Sequence, residues 1–159
     1  MNFFKHSLFT ASAFAILLTL NACGDIFGLG ENFLKAEFNG EVKEWNGAMV
    51  TALEVDTFNG VLIQAIKNTD LSNIETLIIA LDGFDGEGTY TIDLISSTLA
   101  TYTVAGTAST NQSISTGGSI TVTSFENSVI EGEFSMSLKT LDENTIDVTN
   151  GSFQAKLIE

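Results

Sequence analysis

The sequence predicts an all-β protein, an antiparallel β-sandwich or meander of about ten strands, with a β-barrel as the alternative way of closing it. Three observations carry this reading. In Ile130-Glu131-Gly132-Glu133-Phe134-Ser135-Met136-Ser137-Leu138 every second residue is apolar or glycine and those between are acidic or serine, the period of a strand with one buried face. Asn-Gly pairs recur at Asn39-Gly40, Asn59-Gly60 and Asn150-Gly151, and they supply the positive φ that tight hairpin turns need. No helix-length apolar periodicity follows residue 30, and a chain without proline must make its turns with Gly, Asn, Asp and Ser.

Taken in order, the chain opens like an exported precursor, with Lys5 and His6 near the start, an apolar run from Leu8 to Leu20 and a small-residue end. That run of about thirteen residues is short for a bilayer span and suits a signal-peptide core. The segment Leu20-Asn21-Ala22-Cys23 resembles the bacterial lipobox, in which the cysteine is acylated and becomes the first residue of the mature protein. The resemblance implies lipidation at Cys23, the chain's one cysteine, where an unpaired thiol would otherwise be out of place in an oxidising compartment. Residues 1–22 are therefore expected to be a lipoprotein signal peptide, 23–31 a glycine-rich flexible tether, and 32–159 a single β domain.

Within that domain, Ala36 to Trp45 reads as two short strands around Asn39-Gly40, with Trp45 as a core anchor rather than a binding platform, since one Trp makes no aromatic strip. Ala48–Val55 and Val61–Ile66 form a second pair around the turn at Asn59-Gly60. Lys67 to Asn73 is polar and is expected to be an open loop. Thr76-Leu77-Ile78-Ile79-Ala80-Leu81 is a continuous apolar run, expected to be a central strand covered on both faces. Gly88 to Leu94 alternates with Tyr90, Ile92 and Leu94 on one face, and Tyr102, Val104 and Gly106 continue the meander. Ala108 to Gly118, rich in Ser, Thr, Asn and Gly, reads as a long exposed loop. Ser119–Thr123 then pairs with the strand from Ile130 across the turn Glu126-Asn127-Ser128. Asp142-Glu143-Asn144 leads into Thr145–Thr149, and Asn150-Gly151 makes a turn or bulge before Phe153, Ala155 and Leu157. Gly132 falls on the inward face between Ile130 and Phe134, where a glycine marks a bulge or the close approach of another backbone or a large ring.

Composition narrows function mainly by exclusion. Twenty acidic residues stand against six lysines and no arginine, and losing Lys5 with the export segment takes the net charge from −14 to −15. Such a surface repels phosphate backbones, so no nucleic-acid partner is expected. Beyond Cys23 the chain has no histidine, arginine or cysteine, which removes Ser-His-Asp and Cys-His catalysis and imidazole or thiolate zinc sites. The loop Asp82-Gly83-Phe84-Asp85-Gly86-Glu87-Gly88 groups three carboxylates, but its spacing is not that of an EF-hand and an Asp/Gly cluster is ordinary turn chemistry. No catalytic residue, metal site or cofactor is expected.

Phe38-Asn39-Gly40 with Trp45, Gly88-Thr89-Tyr90-Thr91-Ile92, Gly118 to Val122, Ile130 to Ser135 and Thr149 to Phe153 together resemble a family of small Bacteroidota lipoproteins of unknown function. The resemblance implies a membrane-anchored all-β protein of the cell envelope, in the outer membrane, and brings no active site with it. The expectation is a non-enzymatic binding or structural module, held to a membrane through its N-terminal lipid, with a glycan or protein partner. The alternative is a carbohydrate-active enzyme that uses a pair of carboxylates.

Overall fold

A computed structural model describes residues 32–56, 59–70, 73–93, 95–106 and 109–158. Ten strands carry this part of the chain: β1 (Phe33–Phe38), β2 (Glu41–Asn46), β3 (Val50–Val55), β4 (Gly60–Asp70), β5 (Asn73–Leu81), β6 (Gly88–Ile92), β7 (Leu99–Gly106), β8 (Thr110–Glu126), β9 (Val129–Thr140) and β10 (Thr145–Ile158). Gly47–Met49 forms a 3-10 turn between β2 and β3. Following the pairings, β3, β4, β5, β7, β8, β9 and β10 close on themselves as a seven-stranded barrel. The hairpin β1–β2 joins this ring through β10, and β6 joins it through β8.

The closed form follows from two long strands that each serve two neighbours along one edge. β8 pairs with β7 over Thr110–Ile114 and with β6 over Gly118–Val122, and a register shift between Ser115 and Gly117 separates the two stretches. β10 pairs with β1 up to Gln154 and with β3 at Leu157 and Ile158. Bulges bend a strand and raise its twist, so each long strand passes from one wall of the barrel to the other. Asn32 fills the seam on β10, its side chain accepting from the Lys156 N–H (3.1 Å) and donating to the Val50 carbonyl (2.8 Å). The β10–β3 contact is parallel, so the sheet is not wholly antiparallel as expected.

Turn chemistry follows the sequence. Asn39 (φ 49°) and Gly40 (φ 84°) make a two-residue turn that puts Phe38 opposite Glu41, and Asn127 and Ser128, also at positive φ, put Glu126 opposite Val129. Asn150 (φ 51°) makes a bulge rather than a turn, and β10 runs unbroken through it. Thr57 and Phe58, in the turn before Asn59-Gly60, lie outside the described residues.

Two expected loops are strands instead. Most of Lys67–Asn73 belongs to the β4–β5 ladder, in which Lys67 lies opposite Glu75 in register, while the Lys67 ammonium donates to the Glu44 carbonyl (3.3 Å) and Glu75 pairs with Lys43 (3.3 Å). Most of Ala108–Gly118 is the first half of β8. Its inward positions are Ser113 and Ser115, both buried, and the Ser115 hydroxyl accepts the Ala100 N–H at 2.8 Å, so at Ser115 the strand meets the interior through a bonded hydroxyl rather than an apolar side chain.

The core runs through the barrel, with Leu34, Ile63, Leu77, Ile79, Leu81, Ile120, Ile130 and Leu138 fully buried. Trp45 is 2% exposed and is the anchor its solitary occurrence suggested. Gly132 lies opposite Phe153 and Gly151 opposite Phe134 in the β9–β10 register. A Cβ on Gly132 would sit 2.6 Å from Phe153 Cζ, and one on Gly151 2.6 Å from Phe134 Cδ2. Each ring thus occupies the space its partner strand leaves empty, and the two rings pack at 6.3 Å between centroids. The wall away from β9 has an outer face of a different kind. Its cross-strand rows read Ile158–Leu53–Leu62–Ala80–Leu99 and Thr51–Gln64–Ile78–Thr101–Ile114, then Ile66–Thr76–Thr103–Gln112 and Asn68–Ile74–Ala105–Thr110. None of these residues carries a charge.

Gly132→Val should destabilise the protein by about 3 kcal/mol through overpacking against Phe153 and the Thr121 carbonyl, as measured by urea unfolding. An unchanged midpoint would show that the interior yields at this point.

Candidate functional site

Two places on the described surface bring chemistry-bearing side chains together. The first is a groove on the outer face of β8, β9 and β10, with a volume of about 530 Å³. The ladder sets Thr121 beside Glu133 and Glu133 beside Ser152, with Ser119 beside Ser135. The bulge in β10 brings Asn150 into the same lining. A second depression of about 330 Å³ adjoins it and shares Ser135, and Asp147 and Thr149 line it with Gly117 and Gly118. Both exist because short hydroxyl side chains and glycines occupy consecutive outward positions where the strands bend. Asp147 is held in place: its carboxylate accepts from the Ser137 hydroxyl (3.1 Å), its N–H donates to the Asn39 side-chain oxygen (2.9 Å), and its carbonyl accepts the Asn39 N–H (2.8 Å). The lining offers hydroxyls, an amide and two carboxylates with no cation among them, a field that disfavours anionic ligands.

The second place lies inside one end of the barrel. Lys43 from β2 points inward, 3.3 Å from Glu75 of β5, and its ammonium stands 5.9 Å from the Phe38 ring centroid and 5.8 Å from that of Tyr102. Phe38 in turn packs on Tyr102 at 4.8 Å and on Trp45 at 6.1 Å. Burial works against the Lys43 charge, but the Tyr102 phenol oxygen and the Glu75 carboxylate outweigh it, and the Lys43 pKa is raised. Burial, reinforced by Glu75 and opposed by Lys43, also raises the pKa of the Tyr102 phenol. This arrangement is a plug that closes the barrel end by an ion pair and cation–π contacts.

The acidic loop at residues 82–88 is tied to β6. The Tyr90 hydroxyl lies 2.8 Å from the Gly86 carbonyl and 3.1 Å from the Asp85 carboxylate, and Phe84 stacks on the Tyr90 ring at 5.9 Å and meets Phe125 edge-on at 5.3 Å. Among the described residues no three His, Cys, Asp or Glu side chains gather as metal ligands. Cys23, the residue assigned to lipidation, lies outside the described residues, as does Leu94. The groove residues gave no distinct signal in the sequence, because Ser119, Thr121, Glu133, Ser135 and Ser152 look like any solvated outer face; only the bulge at Asn150-Gly151 was marked.

A closed β-barrel with a polar outer groove defines a class of architecture rather than an activity. The family model described as a domain of unknown function (DUF6252) matches residues 31–155, and the chain belongs to that family. No curated protein and no solved structure matches the chain.

The plug contributes to the loss of stability at alkaline pH, as does Tyr90, whose phenol pKa burial also raises. Lys43 and Tyr102 both have folded pKa values above their ordinary 10.5 and 10.0, so the stability they contribute is complete below those values and is lost as pH rises through the raised ones. Urea unfolding measured from about pH 8 to about pH 11 should show stability falling in the upper part of that range, and Tyr102→Phe should make the fall shallower. An equally steep fall in the variant would contradict the assignment.

Proposed function

We propose that the protein is a non-enzymatic, lipid-anchored binding module of the cell envelope, held at the outer membrane by acyl chains on Cys23 and presenting the β8–β10 groove to a glycan. The observation that carries the binding role is the groove itself. Its size lies within the range of small-ligand sites, and Ser119, Thr121, Glu133, Ser135, Asn150 and Ser152 offer both donors and acceptors to a polyhydroxylated ligand. The anchoring role rests on the resemblance of Leu20-Asn21-Ala22-Cys23 to a lipobox. Each buried methylene of an acyl chain contributes about 0.8 kcal/mol, so one chain anchors weakly and two or three anchor firmly. A hydrolase reading would need Glu133 and Asp147 to act on one bond. The two line adjoining depressions, and Asp147 is engaged by Ser137 and Asn39, which supports binding over hydrolysis.

In the native host, Cys23→Ala should abolish labelling by a palmitate analogue and either release the protein from the membrane fraction or leave it as an uncleaved precursor. Wild-type protein that is soluble, unlabelled and cleaved elsewhere would defeat the anchoring. Against a panel of neutral oligosaccharides, the protein should bind without turnover, and Ser135→Trp, which fills the groove, should weaken binding at least about tenfold, a loss near 1.4 kcal/mol. Turnover that disappears in Glu133→Gln or Asp147→Asn would replace the binding role with hydrolysis.

A further inference from the structure

We propose that the uncharged outer face of β3, β4, β5 and β7 rests against the zwitterionic headgroup surface of the membrane that anchors the chain, which turns the β8–β10 groove away from the lipid. The inference rests on the lipid-anchored reading above and adds an orientation to it. In a chain of net charge −14, chance alone would scatter carboxylates over an outer sheet face of this extent. Instead its first cross-strand row is Ile158, Leu53, Leu62, Ala80 and Leu99, with Ile158 48%, Leu53 36% and Leu99 39% exposed. An apolar row left on a sheet face, interrupted only by the buried Ala80 (7% exposed) and flanked by rows of Ile, Thr, Gln, Asn and Ala, marks an interaction surface.

Two further observations choose lipid as the occupant. The described chain starts at Asn32, pinned between Val50 of β3 and Lys156 of β10, so the preceding segment joins the barrel at the border of this face. The stretch from Cys23 to Asn32 spans at most about 30 Å even when fully extended, which keeps an anchored domain close to the bilayer. The second observation is the distribution of charge. The opposite wall carries Glu131, Glu133 and Asp147 on its outer side, and pressing ionised carboxylates against a headgroup layer would cost part of their hydration. The face without charge is the one that can approach headgroups without that cost.

The seven-stranded ring lies within residues 50–158, and the hairpin that adds Leu34, Ala36, Phe38 and Trp45 to its core begins at Phe33, so the chain from Cys23 onward contains every described element. That chain, coupled through the Cys23 thiol to a maleimide-bearing lipid in phosphatidylcholine vesicles, is anchored whether or not the host acylates it. This separates the test of orientation from the test of lipidation. Leu62→Trp and Ser135→Trp place a fluorophore on the two opposite outer faces, against a constant background from the buried Trp45, and brominated phosphatidylcholine reports proximity to lipid. Circular dichroism melts should match the parent for both variants. The proposal expects Leu62→Trp to be quenched several-fold more than Ser135→Trp. Equal quenching, stronger quenching at Ser135→Trp, or no quenching at either position would overturn it. So would a dimer of the vesicle-free chain that Leu62→Glu dissociates, because the face would then belong to a second copy.

Discussion

The closed barrel depends on two crossed pairs in which a glycine on one strand lies under a phenylalanine on the next. Gly132 faces Phe153 and Gly151 faces Phe134 across the β9–β10 ladder, and each ring lies where the Cβ of its partner would be. Side chains at all four inward positions would force the rings upright and the strands apart. With glycine at two of them, both rings lie flat along the neighbouring backbone and still pack on each other, so β9 and β10 can coil tightly enough to complete the ring. The other side of β9 repeats the device at Gly118, whose missing Cβ makes room for the backbone and side chain of Met136.

From this constraint the surface follows. Tight coiling at Gly117, Gly118 and Gly151 is what opens the two depressions on the outer face of β8–β10, since short side chains at a bend leave space that a flatter sheet would fill. On the opposite wall, the four cross-strand rows of β3, β4, β5 and β7 up to Asn68 carry aliphatic, Thr, Asn or Gln residues on their outer side, and the β4–β5 ladder becomes irregular only beyond Asn68. The molecule therefore has a polar, acidic, grooved side and an uncharged side. The end of the barrel is closed separately by Lys43 and Glu75 among the rings of Phe38 and Tyr102.

Much of this was legible in the sequence where inward residues are large and apolar. The alternation from Ile130 to Leu138, the turns at Asn39-Gly40 and Asn127-Ser128, the burial of Trp45 and the close approach of a ring to Gly132 all have a one-to-one cause in residue type. Legibility failed where the interior is lined by hydroxyls. Ser113 and Ser115 face the core of β8, so its first half carried no hydrophobic period and read as a loop. It failed likewise for the β4–β5 ladder, whose end is polar and whose Lys67 and Glu75 bond to Glu44 and Lys43 of β2, far off in sequence, and for the parallel contact of β10 with β3, which is a property of closure and not of local pattern. The groove could not be read because a serine facing a concave bend and a serine facing open solvent are the same letter; only folding distinguishes them.

The most direct test is a double-mutant cycle between Gly151→Ala and Phe134→Ala, which removes the Cδ1 and Cδ2 atoms that a Cβ at 151 would meet, followed by urea unfolding. If the ring of Phe134 is part of what requires glycine at position 151, the alanine should cost less once the ring is gone, with a coupling of about 1 kcal/mol or more, while the Phe134 carbonyl, also 2.6 Å from the added Cβ, keeps a residual cost in both backgrounds. Additive losses would contradict the account, because they would mean that Gly151 and Phe134 stabilise the barrel independently.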